Sequence, residues 1–353
     1  MSRYITIRVV WILIMLVAIL STNFVILKLA PAYPPTTVDD RNVYFNKQVT
    51  DGYMTFRLID DPEEMKEIRS ILASGKKARS SYYEDKGGFI RAFEPIPIVR
   101  QYGTWVKNIV TKWDWGLSTR VEVRRPVFTI LKDRMPTTLK LNVIALFIYI
   151  PIGVALGIIA ALNKDKLIDN IISVAVMVMI SIPNFVVIIM LIMIFGYWLN
   201  WLPTIYPSGD ADFLLRLKGL VIPVLALIFG PIASLARLTR AELTEALTSE
   251  FLLLARTKGL TRGQSIVRHG LRNSMVPLVP SIIGSFVLIL TGSVVMEQIY
   301  SIPGTGRVFI RALTPNAYDY NLLLSTTAFY TSISLFGMEL EPCKTSGKPG
   351  KSF

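Results

Sequence analysis

Residues 138–162, TLKLNVIALFIYIPIGVALGIIAAL, decide the fold. After Lys140 the run continues for 22 residues without another charge. At ~1.5 Å per residue such a helix crosses the ~30 Å hydrocarbon core of a bilayer. It is apolar around its whole circumference, so it has no water-facing side. Comparable runs occupy residues 9–30, 170–199, 220–243 and 276–296, with a weaker one at 322–338. The expected fold is therefore an all-α integral membrane protein with six transmembrane helices and an enlarged outer region at 31–136 between the first two. Composition agrees. The 353 residues are 52% hydrophobic and only 18% charged, against about 25% charged in soluble domains.

Orientation follows from Lys and Arg near the span ends. With the N-terminus inside, the inner segments hold 14 such residues and the short outer loops only Arg216, Lys218, Arg307 and Arg311. The long outer region is left out, because loops beyond ~60 residues cross largely regardless of charge. Both termini are predicted to be cytoplasmic. The first run is too long for a signal-peptide core, and Leu29-Ala30-Pro31-Ala32-Tyr33-Pro34 is a poor cleavage site, so it reads as a retained anchor over 1–30.

The formal charge of +13 does not indicate nucleic acid, because the basic residues are divided between the polar outer region and the span ends. One cysteine, Cys343, excludes an internal disulfide and a Cys-rich metal site. One histidine, His269, has no second His and no nearby acid pair, so no catalytic constellation forms around it. No catalytic residue and no metal site is expected.

In the outer region, Asp61-Pro62-Glu63-Glu64 predicts a helix start: Asp as N-cap, Pro in the first turn, acids at the positive end of the dipole. Met65, Ile68 and Leu72 share a face, and Gly75 is a natural stop. Ile98, Tyr102, Trp105 and Ile109 predict a second helix, its aromatics serving packing. Residues 76–88 between them read as a solvated loop.

The segment 248–274, between the fourth and fifth spans, carries the functional signal. A helix through Glu250 and Ala255-Arg256-Thr257-Lys258 can end at Gly259, which reaches the left-handed conformation without strain. Thr261 with Gln264 forms a capping box for the next helix. A regular α-helix puts Arg262, Ser265, His269 and Arg272 on one face, and Val267, Leu271 and Ser274 on another. The expected product is a helix–turn–helix at the inner membrane surface, basic on one side and apolar on the other, suited to dock a soluble partner. Within the spans, Pro183-Asn184 and Pro231 loosen the backbone ladder, and Asn184, Ser234 and Ser285 are polar exceptions. Together with Glu297 at the outer end of the fifth span, Pro183, Asn184, Ser234 and Ser285 form the candidate translocation path.

These residues resemble a known family. Ala255-Arg256-Thr257-Lys258-Gly259-Leu260, then Arg268-His269-Gly270-Leu271-Arg272-Asn273 and Pro277, is similar to the "EAA" loop of bacterial ABC-importer permeases, most closely the B-type oligopeptide permease of the peptide/nickel group. Leu29-Ala30-Pro31, the Asp61–Glu64 helix start, Gln101-Tyr102 with Trp105, Trp115-Gly116-Leu117-Ser118 and Arg134-Met135-Pro136-Thr137-Thr138-Leu139 extend the resemblance. So does Glu297 with Ser301-Ile302-Pro303-Gly304-Thr305-Gly306-Arg307. It covers roughly residues 3–337. The resemblance implies a permease core over 137–338 in a bacterial cytoplasmic membrane. It also implies a second homologous permease, two ABC ATPases docked on the inner loops, and an extracytoplasmic peptide-binding protein. ATP and magnesium would be bound by those ATPases and no cofactor by this chain.

Three departures stand out. Leu253 occupies the position of the loop's Glu, and the outer region has extra residues around 36–57 and 76–93. Similarity stops at Gly337, and 339–353 form an atypical polar tail, read as a truncation or reading-frame change. The tail's Gly347-Lys348-Pro349-Gly350-Lys351-Ser352 imitates a phosphate loop, but Thr345 stands where its first Gly belongs. ATP hydrolysis thus falls to separate subunits. The alternatives are a permease of the same family for dipeptides or nickel chelates, and a stand-alone ion-coupled transporter. Against the latter, the spans hold almost no ionisable residue and show no inverted repeat. A membrane-embedded enzyme would need paired acids, Ser–His or metal ligands at depth, and none is apparent.

Overall fold

The computed structural model describes residues 2–29, 38–73, 81–84, 89–209, 211–288, 294–314 and 318–340. In chain order these form α1 (Ser2–Leu29), α2 (Val38–Thr50), β1 (Met54–Ile59), α3 (Pro62–Ala73), β2 (Ser81–Glu84), β3 (Ile90–Pro95), α4 (Ile98–Lys112), α5 (Val127–Leu162), α6 (Leu167–Ser181) and α7 (Asn184–Leu191, continuing as π-helix through Trp198). Then follow α8 (Phe213–Thr248), α9 (Glu250–Thr257), α10 (Arg262–Ser265, continuing as π-helix through Leu271), α11 (Arg272–Leu288), α12 (Val294–Ile299), α13 (Thr305–Ala312) and α14 (Tyr320–Leu340). The chain divides into two compact units, one of residues 1–16, 131–310 and 328–353, the other of 17–130 and 311–327.

Among the described residues, three helices are long and apolar enough to span a membrane: Thr6–Leu29 within α1, α5 and α8. The run expected as one span at 170–199 is two helices, Leu167–Ser181 and Asn184–Trp198, bent by 97°. The cause is local. Ile182 is extended (φ −89°, ψ 120°), the conformation a following proline imposes, and Pro183 then caps α7. Among the described residues, three spans, or four if the bent pair is one, meet that test. Residues 289–293 of the fifth expected run lie outside the described residues. The sixth, α14, is 21 residues long but carries Asn321, Ser325, Thr326 and Thr327.

The expectation of an all-α chain is corrected by the unit of residues 17–130 and 311–327, which contains an antiparallel sheet in the order β1-β3-β2. Met54 pairs Pro95 and Ile59 pairs Ile90, while Ser81–Glu84 covers the other edge of β3. Residues 81–84, expected in a solvated loop, are therefore a strand. Helices α2 and α3 cover this sheet. Phe45 of α2 stacks on Phe93 at 4.5 Å, and Ile68 and Met65 of α3 pack on Ile59, Ile90 and Ala92. The α3 start is as read, with the Glu63 N–H donating to the Asp61 carboxylate at 3.1 Å. Gly75 and the Leu29-Ala30-Pro31 corner fall at or beyond the edge of the described residues. Helix α4 packs Trp105 and Tyr102 on Phe24 of α1.

In the same unit, Asp319 fastens the segment before α5. One carboxylate oxygen accepts the Ser118 hydroxyl at 2.5 Å and the N–H groups of Thr119, Arg120 and Val121 at 3.0, 3.0 and 3.1 Å. Helix α5 begins at Val127 and runs through Pro136, so the boundary expected at 136/137 lies inside it.

In the other unit, α8 is the central element. Its inner side buries Ile222, Ala226, Ala233, Ala236 and Leu243 against neighbouring helices. A Cβ on Gly157 of α5 would lie 2.7 Å from the Ala236 carbonyl and inside the Thr239 side chain, so the two helices meet nearly backbone to backbone.

Candidate functional site: a docking element and a buried outer turn

Helix α8 ends at Thr248, Ser249 turns the chain, and α9 runs to Thr257. Gly259 then adopts φ +90°, and the capping box closes as read. The Gln264 N–H donates to Thr261 Oγ1 at 3.3 Å, and the Thr261 N–H donates to Gln264 Oε1 at 3.1 Å. Glu250, Arg256, Lys258, Gly259, Arg262, Arg268, His269 and Arg272 are all exposed, and Ala255 is buried.

One part of the expected facing is corrected. Ser265 is fully buried while His269 and Arg272 are exposed, and Val267 is 64% exposed. The reason is the π-helical turn Ile266–Leu271. A π turn advances the buried position by one residue, so Ser265, Gly270, Ser274 and Leu278 form the buried seam. Gly270 lies over Leu243 and Leu247 of α8 and Leu252 of α9. The element is thus seated on the end of α8, while Leu253, Leu254 and Val267 join its cations on the open side. The residue at the family's Glu position, Leu253, is 59% exposed.

At the other candidate site, Glu297 in α12 is completely buried. Its carboxylate accepts Thr138 Oγ1 at 2.7 Å and the N–H groups of Gly306 and Arg307 at 2.7 and 3.2 Å. Thr138 Oγ1 in turn accepts the Thr305 N–H at 3.0 Å, and Tyr330 donates to Thr305 Oγ1 at 3.0 Å. Gly304 has no room for a side chain: a Cβ would overlap the Glu297 carboxylate and come within 2.5 Å of Thr138 Oγ1. The Arg307 guanidinium donates to the Ser301 carbonyl at 2.7 Å. The Ser301–Arg307 stretch therefore wraps a carboxylate with backbone donors.

The remaining path candidates are dispersed. Pro183 and Asn184 are exposed at the bend, and Ser234 is exposed on α8. Gly230, one turn before Ser234, sits against Asn184: a Cβ there would be 3.4 Å from the Asn184 amide oxygen. Ser285 lies in α11, its side chain outside the described residues.

Residues 153–338, which hold both the docking element and the Glu297 turn, match the model of the family "Binding-protein-dependent transport system inner membrane component". The chain belongs to that family. The permease is 35% identical over 241 residues to the dipeptide transport system permease protein DppB of Bacillus subtilis, covering 67% of this chain and 73% of the relative. It is 33% identical over 237 residues to DppB of Lactococcus lactis (67% and 75%). It is 36% identical over 231 residues to the oligopeptide transport system permease protein OppB of Escherichia coli K12 (65% and 72%). As an inner membrane component, the permease is a multi-pass protein of the cytoplasmic membrane. It is a transport subunit, not an enzyme. Sequence reading missed the buried state of Glu297, whose hydroxyl donor Thr138 lies 159 residues away.

Proposed function

We propose that the permease is a transmembrane subunit of an ATP-driven importer that carries oligopeptides inward by alternating access. The observation that carries this reading is the docking element. Six basic or imidazole side chains, Arg256, Lys258, Arg262, Arg268, His269 and Arg272, are exposed alongside Leu253, Leu254 and Val267. A membrane protein that seats such a mixed patch on a rigid helix end presents it to a soluble partner, as apolar patches rimmed by charge do. That partner is a P-loop ATPase, two copies of which serve this permease and a homologous second one. ATP and magnesium belong to those subunits, and an extracytoplasmic binding protein delivers the peptide. Names of relatives support peptide as the cargo class, and the two DppB relatives favour dipeptides as the second reading.

In this reading the core spans 137–338, with six crossings and both termini inside, surrounded by lipid. The path passes the bend at Pro183 and Asn184, with Ser234 one turn from the neighbouring Gly230; Ser285 and Glu297 belong to its outer half. The sheet-containing outer region adapts the binding protein, so deletion of residues 76–88 lowers binding-protein-dependent uptake; unchanged uptake refutes that role.

The test is uptake of labelled oligopeptides and dipeptides into vesicles holding the full complex. Import that needs ATP and the binding protein, and survives a protonophore, is the expected result. Import that a protonophore stops while ATP is maintained assigns the chain to ion-coupled transport instead.

A further inference from the structure

Near its end, α8 carries an ion pair that the docking element does not use. Asp169, in the first turn of α6, has a carboxylate only 2% exposed, although it lies 71 residues from its partner Arg240. Arg240 Nε and Nη2 donate to its two oxygens at 2.5 and 2.7 Å. The Asp165 N–H adds a bond at 3.0 Å and Ser173 Oγ a longer one at 3.4 Å. A two-point guanidinium–carboxylate contact fixes direction as well as distance. Apolar side chains can slide past each other at little cost, whereas this pair cannot shift without losing both bonds.

Its position gives the contact a role. Toward the docking element, the next turns of α8 present Leu243 and Leu247, on which Leu252 and Gly270 sit. In the other direction, α6 is a 15-residue rod, roughly 22 Å long. It packs Val176 on Ala233 and Ala236 and ends at the extended Ile182 before Pro183. The ion pair thus holds one end of a lever whose other end is the 97° bend.

We propose that Asp169 is a positioning residue for transport: held by Arg240, it makes α6 move with the docking element, so that displacement there reaches the bend at Pro183 and Asn184. The inference rests on the importer reading and names the route by which its ATPases act. Loss of the carboxylate's charge removes the directional tie between α6 and α8, leaving only apolar packing such as Val176 on Ala233 and Ala236, without altering the docking surface.

The test uses the complete importer in vesicles, with spin labels at Ile171 and Ala241, exposed positions beside the pair. In the wild-type protein the distance between labels stays the same in nucleotide-free and ATP-bound states. In Asp169→Asn the ATPases remain bound, the distance differs between the two states, and ATP consumed per peptide imported rises about fivefold or more, the lower end of ordinary site-to-site coupling. Asp169→Glu, which keeps a charged acceptor, stays near the wild-type ratio. Unchanged stoichiometry in an assembled Asp169→Asn complex overturns the proposal, and so does a wild-type label distance that changes with nucleotide. The wild-type distance decides the matter if Asp169→Asn does not assemble. A wild-type chain that brings no ATPase with it refutes the importer reading instead.

Discussion

The docking element and the turn after α12 are both short, glycine-bearing corners next to arginines, yet they place charge oppositely. In the first, every cation is exposed and the buried seam is Ser265, Gly270, Ser274 and Leu278. In the second, the one carboxylate is buried and backbone N–H groups surround it. The contrast separates two uses of charge. Exposed charges are individually worth little to the fold and are free to recognise a partner. A buried carboxylate is costly unless fully hydrogen-bonded, so it shapes the chain that satisfies it.

Substitutions that exchange the two behaviours test this distinction. The largest effect is expected for Gly259→Pro. Proline is fixed near φ −65° and cannot adopt +90°. Misplacing α10 by the ~3 kcal/mol such a conflict represents lowers coupled uptake at least about a hundredfold. Membrane insertion, followed by protease accessibility, persists. Wild-type coupling in this variant would remove the docking assignment.

Next comes Glu297→Ala, which leaves the Thr138 hydroxyl and two backbone donors buried without their acceptor. A loss of about 3 kcal/mol in stability is expected, seen as a lower melting temperature in detergent and equal for ATPase-bound and free permease. Altered uptake at unchanged melting temperature would instead place Glu297 in the path alone. Gly304→Ala should behave alike but less severely, costing about 1–3 kcal/mol through overpacking against the carboxylate. The smallest structural effect belongs to Arg268→Ala, within about 0.5 kcal/mol of wild type in stability. Its expected phenotype is binding: several-fold less ATPase recovered with the permease in a titrated pull-down. A variant that loses stability and keeps its ATPase would reverse the comparison.

The two corners also differ in how far their sequence betrayed them. Gly259, the Thr261–Gln264 capping box and the Asp61–Pro62 start are local devices, complete within four residues, and each forms as read. What depends on distant partners was hidden. Glu297 reads as a path residue at the end of a span, and its burial shows only once Thr138 is brought to it. Asp169 and Arg240 look like ordinary span-end residues, although they form a buried pair. Phase errors have another origin. A regular helix keeps Ser265 in phase with His269 and Arg272; one π turn parts them by shifting every later residue, and nothing in Ile266-Val267-Arg268-His269-Gly270-Leu271 announces it. At Pro183 the loosening of the ladder is legible but the 97° bend is not, since a following proline restricts Ile182 to extended backbone without fixing the angle between the helices. The sheet escaped notice because β2 is four residues long and pairs across a charged segment.

The claim that the Glu250–Arg272 element serves soluble ATPases is tested most directly by its partners. The measurement is a mild-detergent purification of the tagged chain from its native membrane, with co-purifying proteins identified by mass spectrometry. Recovery of a second permease and P-loop ATPases, with the ATPases lost from Gly259→Pro, is the predicted result. An intact chain recovered alone, and importing peptide in ATP-free liposomes under an ion gradient, would contradict it.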